Sequence, residues 1–201
     1  MRPIPLVLLA LLLPIPAFAH GGTGGGFGAG LWHPVLGLDH LLAMVSVGLL
    51  STQLGRHAIL SVPTAFVAAM VAGAILGMNH TATPLTNLDI LSLIESGIAL
   101  SVVLLGFAIA LARRMPIWAA MAFVGFFGIF HGFAHGVEIP DLSLTKPYIF
   151  GFVCGTAALH LLGVAIGLAT ERLPHGATIL RHMGSLTCGM GLMLVLQLLG
   201  L

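Results

Sequence analysis

The sequence predicts an all-α integral membrane protein, a bundle of six transmembrane helices that follows a cleavable signal peptide. Of the 201 residues, 58% are hydrophobic and only 6% are charged, and the mean hydropathy is +1.12. Soluble domains carry about a quarter charged residues, so this composition excludes a water-exposed globular surface. The apolar residues also fall into six runs, each close to the length of about 20 residues that a spanning helix needs. The formal net charge of +1 excludes nucleic-acid binding based on bulk charge.

The amino terminus has the three parts of a secretory signal peptide. Arg2 supplies the positive charge, LVLLALLLPIP is the apolar part, and AFA is a small-residue cleavage site before His20. Residues 1–19 are therefore predicted to be removed, residues 20–32 to form a flexible, glycine-rich periplasmic segment, and residues 33–201 to form the transmembrane domain. His20 would then begin the mature chain, where its α-amine and imidazole can capture a metal ion together, or it is an arbitrary residue after the cleavage site.

Short polar or Pro/Gly-containing stretches separate the six predicted spans. The spans cover residues 34–54, 58–78, 90–112, 115–135, 147–170 and 178–200. Five arginines lie in or near the first, third and fifth loops between the spans, whereas the second loop has neither Lys nor Arg and the fourth has only Lys146. Positive residues favour the cytoplasmic side. We therefore expect a multi-pass protein of the bacterial inner membrane with both mature termini outside.

Small residues predict how these helices pack. Glycines spaced four residues apart let two helix backbones approach closely in a membrane, and such pairs occur at Gly73/Gly77, Gly151/Gly155 and Gly163/Gly167. The two cysteines lie far apart in apolar segments without a CxxC pattern, so neither a thiolate metal site nor a disulfide is expected.

The first span contains HPVLGLDHLLAMVSVG, and ionisable residues inside a bilayer are costly and usually mark function. Pro34 suits a first helical turn, which places His33 at or near the helix cap. In a continuous helix His33 and His40 share one face, and Met44 follows one turn further on. Asp39 points about 100° away from His40, toward a neighbouring helix. The alternative is that His33 only caps the helix while Asp39 and His40 bond to neighbouring helices.

The fourth span ends in FHGFAHGVEIPD. His131 and His135 are four residues apart and Glu138 follows three residues later, so all three share one stripe if the helix continues. Paired neutral imidazoles beside a carboxylate suit a divalent transition metal. A helix end that meets water explains Glu138 equally well, but it does not explain both histidines.

Two more ionisable residues lie inside predicted spans. Glu95 in the third span can balance a cation, accept a proton or pair with a histidine. His160 lies near the middle of the fifth span, where it is either a lower position on a permeation route or a packed histidine bonded to a carbonyl.

The two histidine motifs resemble the signatures of the HupE/UreJ family of bacterial membrane proteins. The pattern HPxxGxDHxxxMxxVG is matched at every fixed position from His33 to Gly48, and FHGxAHGxE is matched from Phe130 to Glu138. The signal peptide and the six spans are similar as well, so the resemblance covers essentially the whole chain. It implies a nickel permease, or in some relatives a cobalt permease, that serves hydrogenase or urease maturation. It also implies a set of metal-handling residues, namely His33, Asp39, His40, His131, His135 and Glu138. The residues themselves suggest further candidates for metal capture or for a permeation pathway, namely His20, Met44, Glu95 and His160.

The predicted function is therefore uptake of Ni²⁺, or of Co²⁺, by facilitated diffusion or secondary transport. The chain has no GxxxxGK[ST] pattern for a P-loop, and we expect neither enzymatic activity nor a permanently bound cofactor. The donor set does not exclude Zn²⁺ or Cu²⁺. The expected partners are the metal ion and the lipid bilayer, with a homo-oligomer or further transporter subunits left open. The alternatives are an intramembrane metal-dependent hydrolase, which the lack of HExxH disfavours, and a non-transporting metal-binding or assembly factor.

Overall fold

The computed structural model describes residues 26–79, 84–113, 115–138 and 145–201, without the side chains of residues 84–89 and 138. These ranges form seven α-helices: α1 Phe27–Leu36, α2 Leu38–Gln53, α3 Ala58–Met78, α4 Pro84–Leu111, α5 Ile117–Glu138, α6 Thr145–Glu171 and α7 Gly176–Leu198. The signal peptide predicted for residues 1–19 lies outside the described residues and stays a prediction.

Within the described ranges, the five helices α3 to α7 are long and apolar enough to cross a membrane. They correspond to the second to sixth predicted spans, which confirms an all-α, multi-pass membrane protein. Helices α1 and α2 form a sixth candidate span only as a pair, because the chain bends by 84° between them. The prediction of one continuous helix over residues 34–54 is therefore wrong. The side of the membrane on which each terminus lies stays a prediction.

The break between α1 and α2 has a local cause in the sequence. Pro34 has no N–H to donate to the preceding turn of α1, and Gly37 then adopts an extended conformation (φ −85°, ψ 116°) that ends the helix. Asp39 lies in the first turn of α2, where a negative charge interacts favourably with the helix dipole. His33 lies in the last turn of α1, so the prediction that it caps a helix is wrong. Because α1 begins at Phe27, the segment predicted to be flexible is helical from that residue onward.

Glycines bring the helix backbones together. Helix α3 packs along α5, α4 packs along α7, and α6 contacts both α1 and α2. A Cβ atom at Gly73 or Gly77 would collide with the backbone of α5. One at Gly151 would collide with α1, and one at Gly163 would collide with α2. The close packing predicted for the glycine pairs is thus confirmed, and it draws α1, α2 and α6 tightly together.

The bundle has an apolar outside and several polar side chains within. Leu60 on α3 and Trp118 on α5 are 70% and 73% exposed, as expected of side chains that face lipid. Among the described residues, the buried polar side chains include Ser101 and Thr156, and also the imidazoles His40, His131, His135 and His160. The histidines are therefore placed inside the bundle, where an ionisable group marks a functional site.

Candidate metal site

Four histidine rings meet where α1, α2 and α5 come together, and we name His33, His40, His131 and His135 the four-histidine cluster. The ring centroid of His135 lies 4.5 Å from that of His33 and 4.6 Å from that of His40. The centroids of His40 and His131 are 4.7 Å apart, and those of His33 and His40 are 6.2 Å apart. The structure therefore brings together the two motifs that the sequence placed on separate spans.

The spacing of these rings suits a shared metal ion. With a metal–nitrogen bond of about 2.0–2.1 Å, an imidazole centroid lies about 3.2 Å from the metal, so two rings on one ion have centroids about 4.5 to 5.2 Å apart. The contacts of His135 with His33 and His40, and that of His40 with His131, are of this length. Three of the ring separations in the cluster are thus within the range expected for two imidazoles on one ion.

The nitrogen atoms themselves are not yet aimed at one point. In the described part of the chain, no group of three or more His, Cys, Asp or Glu side chains forms a ready coordination sphere. The rings meet edge to face, at 89° for His33 with His135 and at 83° for His40 with His131. An ion would therefore be held by this cluster only after the rings turn about their side-chain bonds.

Asp39 fixes the orientation of the His40 ring. Its Oδ1 atom accepts the backbone N–H of His40 at 2.7 Å and lies 2.8 Å from His40 Nδ1. Because a carboxylate only accepts hydrogen bonds, Nδ1 carries the proton of the neutral ring and Nε2 keeps its lone pair. Nε2 is buried and has no hydrogen-bond partner among the described residues. The prediction that Asp39 faces a neighbouring helix is wrong, because the break at Gly37 places its carboxylate at the start of α2, beside the next residue.

Ser101 on α4 fixes the His131 ring in the same way. The Ser101 hydroxyl donates its single hydrogen to the carbonyl of Ile98 at 2.6 Å, so Oγ can only accept from His131 Nε2 at 3.0 Å. Nε2 of His131 therefore carries the proton, and the lone pair is on Nδ1. That atom is buried and has no hydrogen-bond partner within the described ranges. Ser101 could not be selected from the sequence, because a serine in an apolar helix usually bonds only to its own preceding turn.

Helix α6 forms one wall of the cluster. The Tyr148 hydroxyl lies 3.0 Å from His33 Nδ1, and the Phe152 ring centroid lies 3.9 Å from that of His135. A cavity of about 10 Å³, roughly the room of one water molecule, lies beside His135 and is lined by Tyr148, Phe152 and Met70. Tyr148 and Phe152 could not be selected from the sequence, because only tertiary packing shows which face of α6 meets the histidines.

The remaining predicted site residues are placed as follows. Glu138 ends α5, but its side chain lies outside the described residues, as does the whole of His20. Met44 is fully buried in the core. Glu95 is exposed on α4, so the structure does not bring it to the buried cluster. The predicted roles of these four residues stay predictions.

Comparisons with known proteins establish the family. The family model described as HupE / UreJ protein matches residues 8–194. The chain is 43% identical over 170 residues to Protein HupE of Rhizobium leguminosarum bv. viciae, an alignment that covers 84% of each chain. No solved structure matches the chain. The match over nearly the whole length shows that this chain belongs to the HupE / UreJ family.

Proposed function

We propose that this chain is an inner-membrane permease that takes up Ni²⁺, with Co²⁺ as a second substrate, for the maturation of a hydrogenase or a urease. The observation that carries the proposal is the four-histidine cluster, which lies where α1, α2 and α5 meet in a bundle of apolar helices and of which His40, His131 and His135 are buried. Membership of the HupE / UreJ family supports nickel as the ion. Transport proceeds by facilitated diffusion or secondary transport, with both mature termini outside.

The donor atoms of the cluster suit a divalent transition metal. Imidazole nitrogen is a preferred ligand of Ni²⁺, Cu²⁺ and Zn²⁺. His40 Nε2 and His131 Nδ1 each keep a lone pair, and the Asp39 carboxylate offsets part of the charge of a bound ion. Because intrinsic affinity alone would favour Cu²⁺ over Ni²⁺, the choice of nickel rests on the family and on the metal that the cell supplies.

Asp39 and Ser101 act on the ion through the rings that they orient. A metal-binding histidine almost always donates its second ring N–H to a carboxylate or another acceptor, which fixes the tautomer and aims the ligand nitrogen. Asp39 does this for His40 and Ser101 does it for His131. We therefore assign Asp39 the role of a positioning residue, in place of the direct ligand that the motif alone suggests.

The membrane potential is sufficient to drive this uptake. Moving one charge across 100 mV is worth about 2.3 kcal/mol, so a divalent cation gains roughly 4–5 kcal/mol on moving inward. The ion enters from the end of the bundle at which α5 stops, where Glu138 is a proposed capture group. His20 in the amino-terminal segment is the other proposed capture group. The ion then loses water in exchange for the histidine nitrogens, and Met44 lies one helical turn beyond His40.

Uptake of radiolabelled Ni²⁺ and Co²⁺ into proteoliposomes tests the proposal. We expect wild-type vesicles to take up Ni²⁺ faster than empty vesicles, and His40→Ala and His135→Ala each to lower the initial rate about tenfold or more. His182→Ala is the matched control, because His182 is exposed on α7 and should leave the rate unchanged.

Four results would contradict this proposal in different ways. Wild-type uptake equal to that of empty vesicles would refute the permease, and Ni²⁺ binding without flux would favour a non-transporting metal-binding factor. Turnover of a lipid or peptide without metal flux would favour the hydrolase. Normal uptake in both cluster variants would refute the site while the permease stands.

A further inference from the structure

One more buried histidine lies beyond the four-histidine cluster. His160 on α6 is only 2% exposed, and neither of its ring nitrogens has a hydrogen-bond partner among the described residues. Buried polar groups in native proteins nearly always have a partner, and an unpaired one costs free energy. The interpretation of His160 as a packed histidine bonded to a carbonyl is therefore wrong for the part of the chain that the structure describes.

A continuous stripe of α6 connects His160 with the cluster. Tyr148, Phe152, Thr156 and His160 follow one another at intervals of four residues, and all are buried, so they lie on one face of the helix. Tyr148 and Phe152 are the residues of this stripe that contact the cluster. At 1.5 Å per residue, His160 lies about 12 Å further along α6 than Phe152.

Side chains near the part of α6 between Phe152 and His160 can also interact with a cation. The Thr156 hydroxyl lies 3.7 Å from the Met70 sulfur, and both residues are buried. The Phe66 ring packs near both His131 and His160, with its centroid 5.4 Å from that of His131 and 5.2 Å from that of His160. An aromatic face attracts a nearby cation, so the stripe offers oxygen, sulfur and aromatic contacts from the cluster to His160.

We propose that His160 is an inner binding position for the divalent transition-metal cation, which it receives from the four-histidine cluster. This inference rests on the proposed function of the chain as a permease. An imidazole nitrogen of His160 supplies the main ligand, and the Thr156 hydroxyl one turn away on the same face supplies a weaker one. A position with few ligands suits an intermediate on a transport route, because the ion must bind there and also leave.

A cysteine at position 160 tests directly whether the ion reaches this position. We expect full-length His160→Cys protein, loaded with Co²⁺, to show a near-ultraviolet charge-transfer band from a thiolate bound to Co²⁺, which the wild type lacks. Leu159→Cys is the matched control. Leu159 is also buried on α6 but points about 100° away from the stripe, so no band is expected. Absence of the band in His160→Cys, at Co²⁺ concentrations that saturate the wild type, would overturn the proposal.

The transport rate provides the second test. His160→Leu fills the site with an apolar side chain and removes the ligand, so we expect the initial rate of Ni²⁺ uptake into proteoliposomes to fall about tenfold. Calorimetric Ni²⁺ affinity at the cluster should stay near the wild-type value, which a general loss of structure would not allow. A His160→Leu rate equal to that of wild type overturns the inner position alone, whereas wild-type vesicles without any uptake contradict the permease itself.

Discussion

The Asp39 carboxylate and the His40 imidazole form a hydrogen-bonded pair, with Oδ1 2.8 Å from Nδ1, at the first turn of a helix that begins inside the membrane domain. The same oxygen accepts the His40 backbone N–H at 2.7 Å, so the ring and the start of α2 are held by one atom. The pair leaves His40 Nε2 as the only lone-pair nitrogen of the neutral ring. Asp39 therefore determines the direction in which His40 Nε2 points.

Replacing Asp39 by Asn should weaken metal binding without unfolding the protein. The amide removes the negative charge and can donate to His40 Nδ1, which would move the ring proton to Nε2 and remove the lone pair. We expect the Ni²⁺ affinity measured by calorimetry to fall about 10- to 100-fold, as for other residues that orient a metal-binding histidine. Glu171→Gln makes the same charge change at the exposed end of α6 and should leave the affinity unchanged. Equal affinities of Asp39→Asn and wild type would show that the carboxylate does not position His40.

Amide substitutions can show which nitrogen of each ring binds the ion. The amide oxygen of Asn lies near the position of Nδ1, and that of Gln lies near the position of Nε2. We expect His131→Asn to bind Ni²⁺ more tightly than His131→Gln, about fivefold on the scale of one hydrogen bond or ligand contact. At position 40 the order should reverse, with His40→Gln the tighter variant. The same order at both positions would contradict the tautomers deduced from Asp39 and Ser101.

Removing the Ser101 hydroxyl should affect both stability and binding. Ser101→Ala leaves the buried Nε2–H of His131 without its acceptor, at a cost of about 1–3 kcal/mol in the free energy of unfolding. It also frees the ring to rotate, so we expect a lower Ni²⁺ affinity as well. Thermal unfolding and calorimetry measure the two effects. Ser96→Ala is the control, because the hydroxyl of that exposed serine donates to the Ser92 carbonyl of its own helix. A matching loss in the control would refute the specific role of Ser101.

A methyl group at position 37 should disturb the aspartate–histidine pair. A Cβ atom on Gly37 would lie 3.0 Å from Asp39 Oδ1 and 3.2 Å from His40 Nδ1, closer than ordinary van der Waals contact. We expect Gly37→Ala to lower the initial rate of Ni²⁺ uptake about tenfold. Gly28→Ala on α1 is the control, since no atom lies within 4 Å of the added methyl group. An initial rate of Ni²⁺ uptake in Gly37→Ala equal to that of wild type would contradict this prediction, because it would show that the Asp39–His40 pair tolerates the added methyl group.

The features that the sequence predicted correctly are those that depend on one segment at a time. The lengths of the apolar runs predicted α3 to α7, because a membrane span is set by hydrophobic length alone. The glycine pairs predicted close helix contacts, because a missing side chain is visible in the sequence. The two motifs pointed to the imidazoles of the cluster because an ionisable residue in an apolar run needs a partner.

The features that were missed depend on a local break or on a distant partner. Gly37 lies within an apolar window of about 20 residues and does not interrupt it, so hydrophobicity alone does not predict the bend of the first span. The signal was present, since a glycine followed closely by an acidic residue ends one helix and begins another. Ser101 and Tyr148 could not be selected from their own segments, because only the packing of α4 and α6 shows that they contact His131 and His33.

The most direct test of the central claim, that the four-histidine cluster holds the transported ion, is the nickel X-ray absorption spectrum of the full-length protein loaded with Ni²⁺. We predict a first shell of nitrogen and oxygen with the multiple scattering that imidazole ligands produce, and a weaker imidazole contribution in His135→Ala. A spectrum without imidazole scattering, or one that stays the same in His135→Ala, would contradict the account.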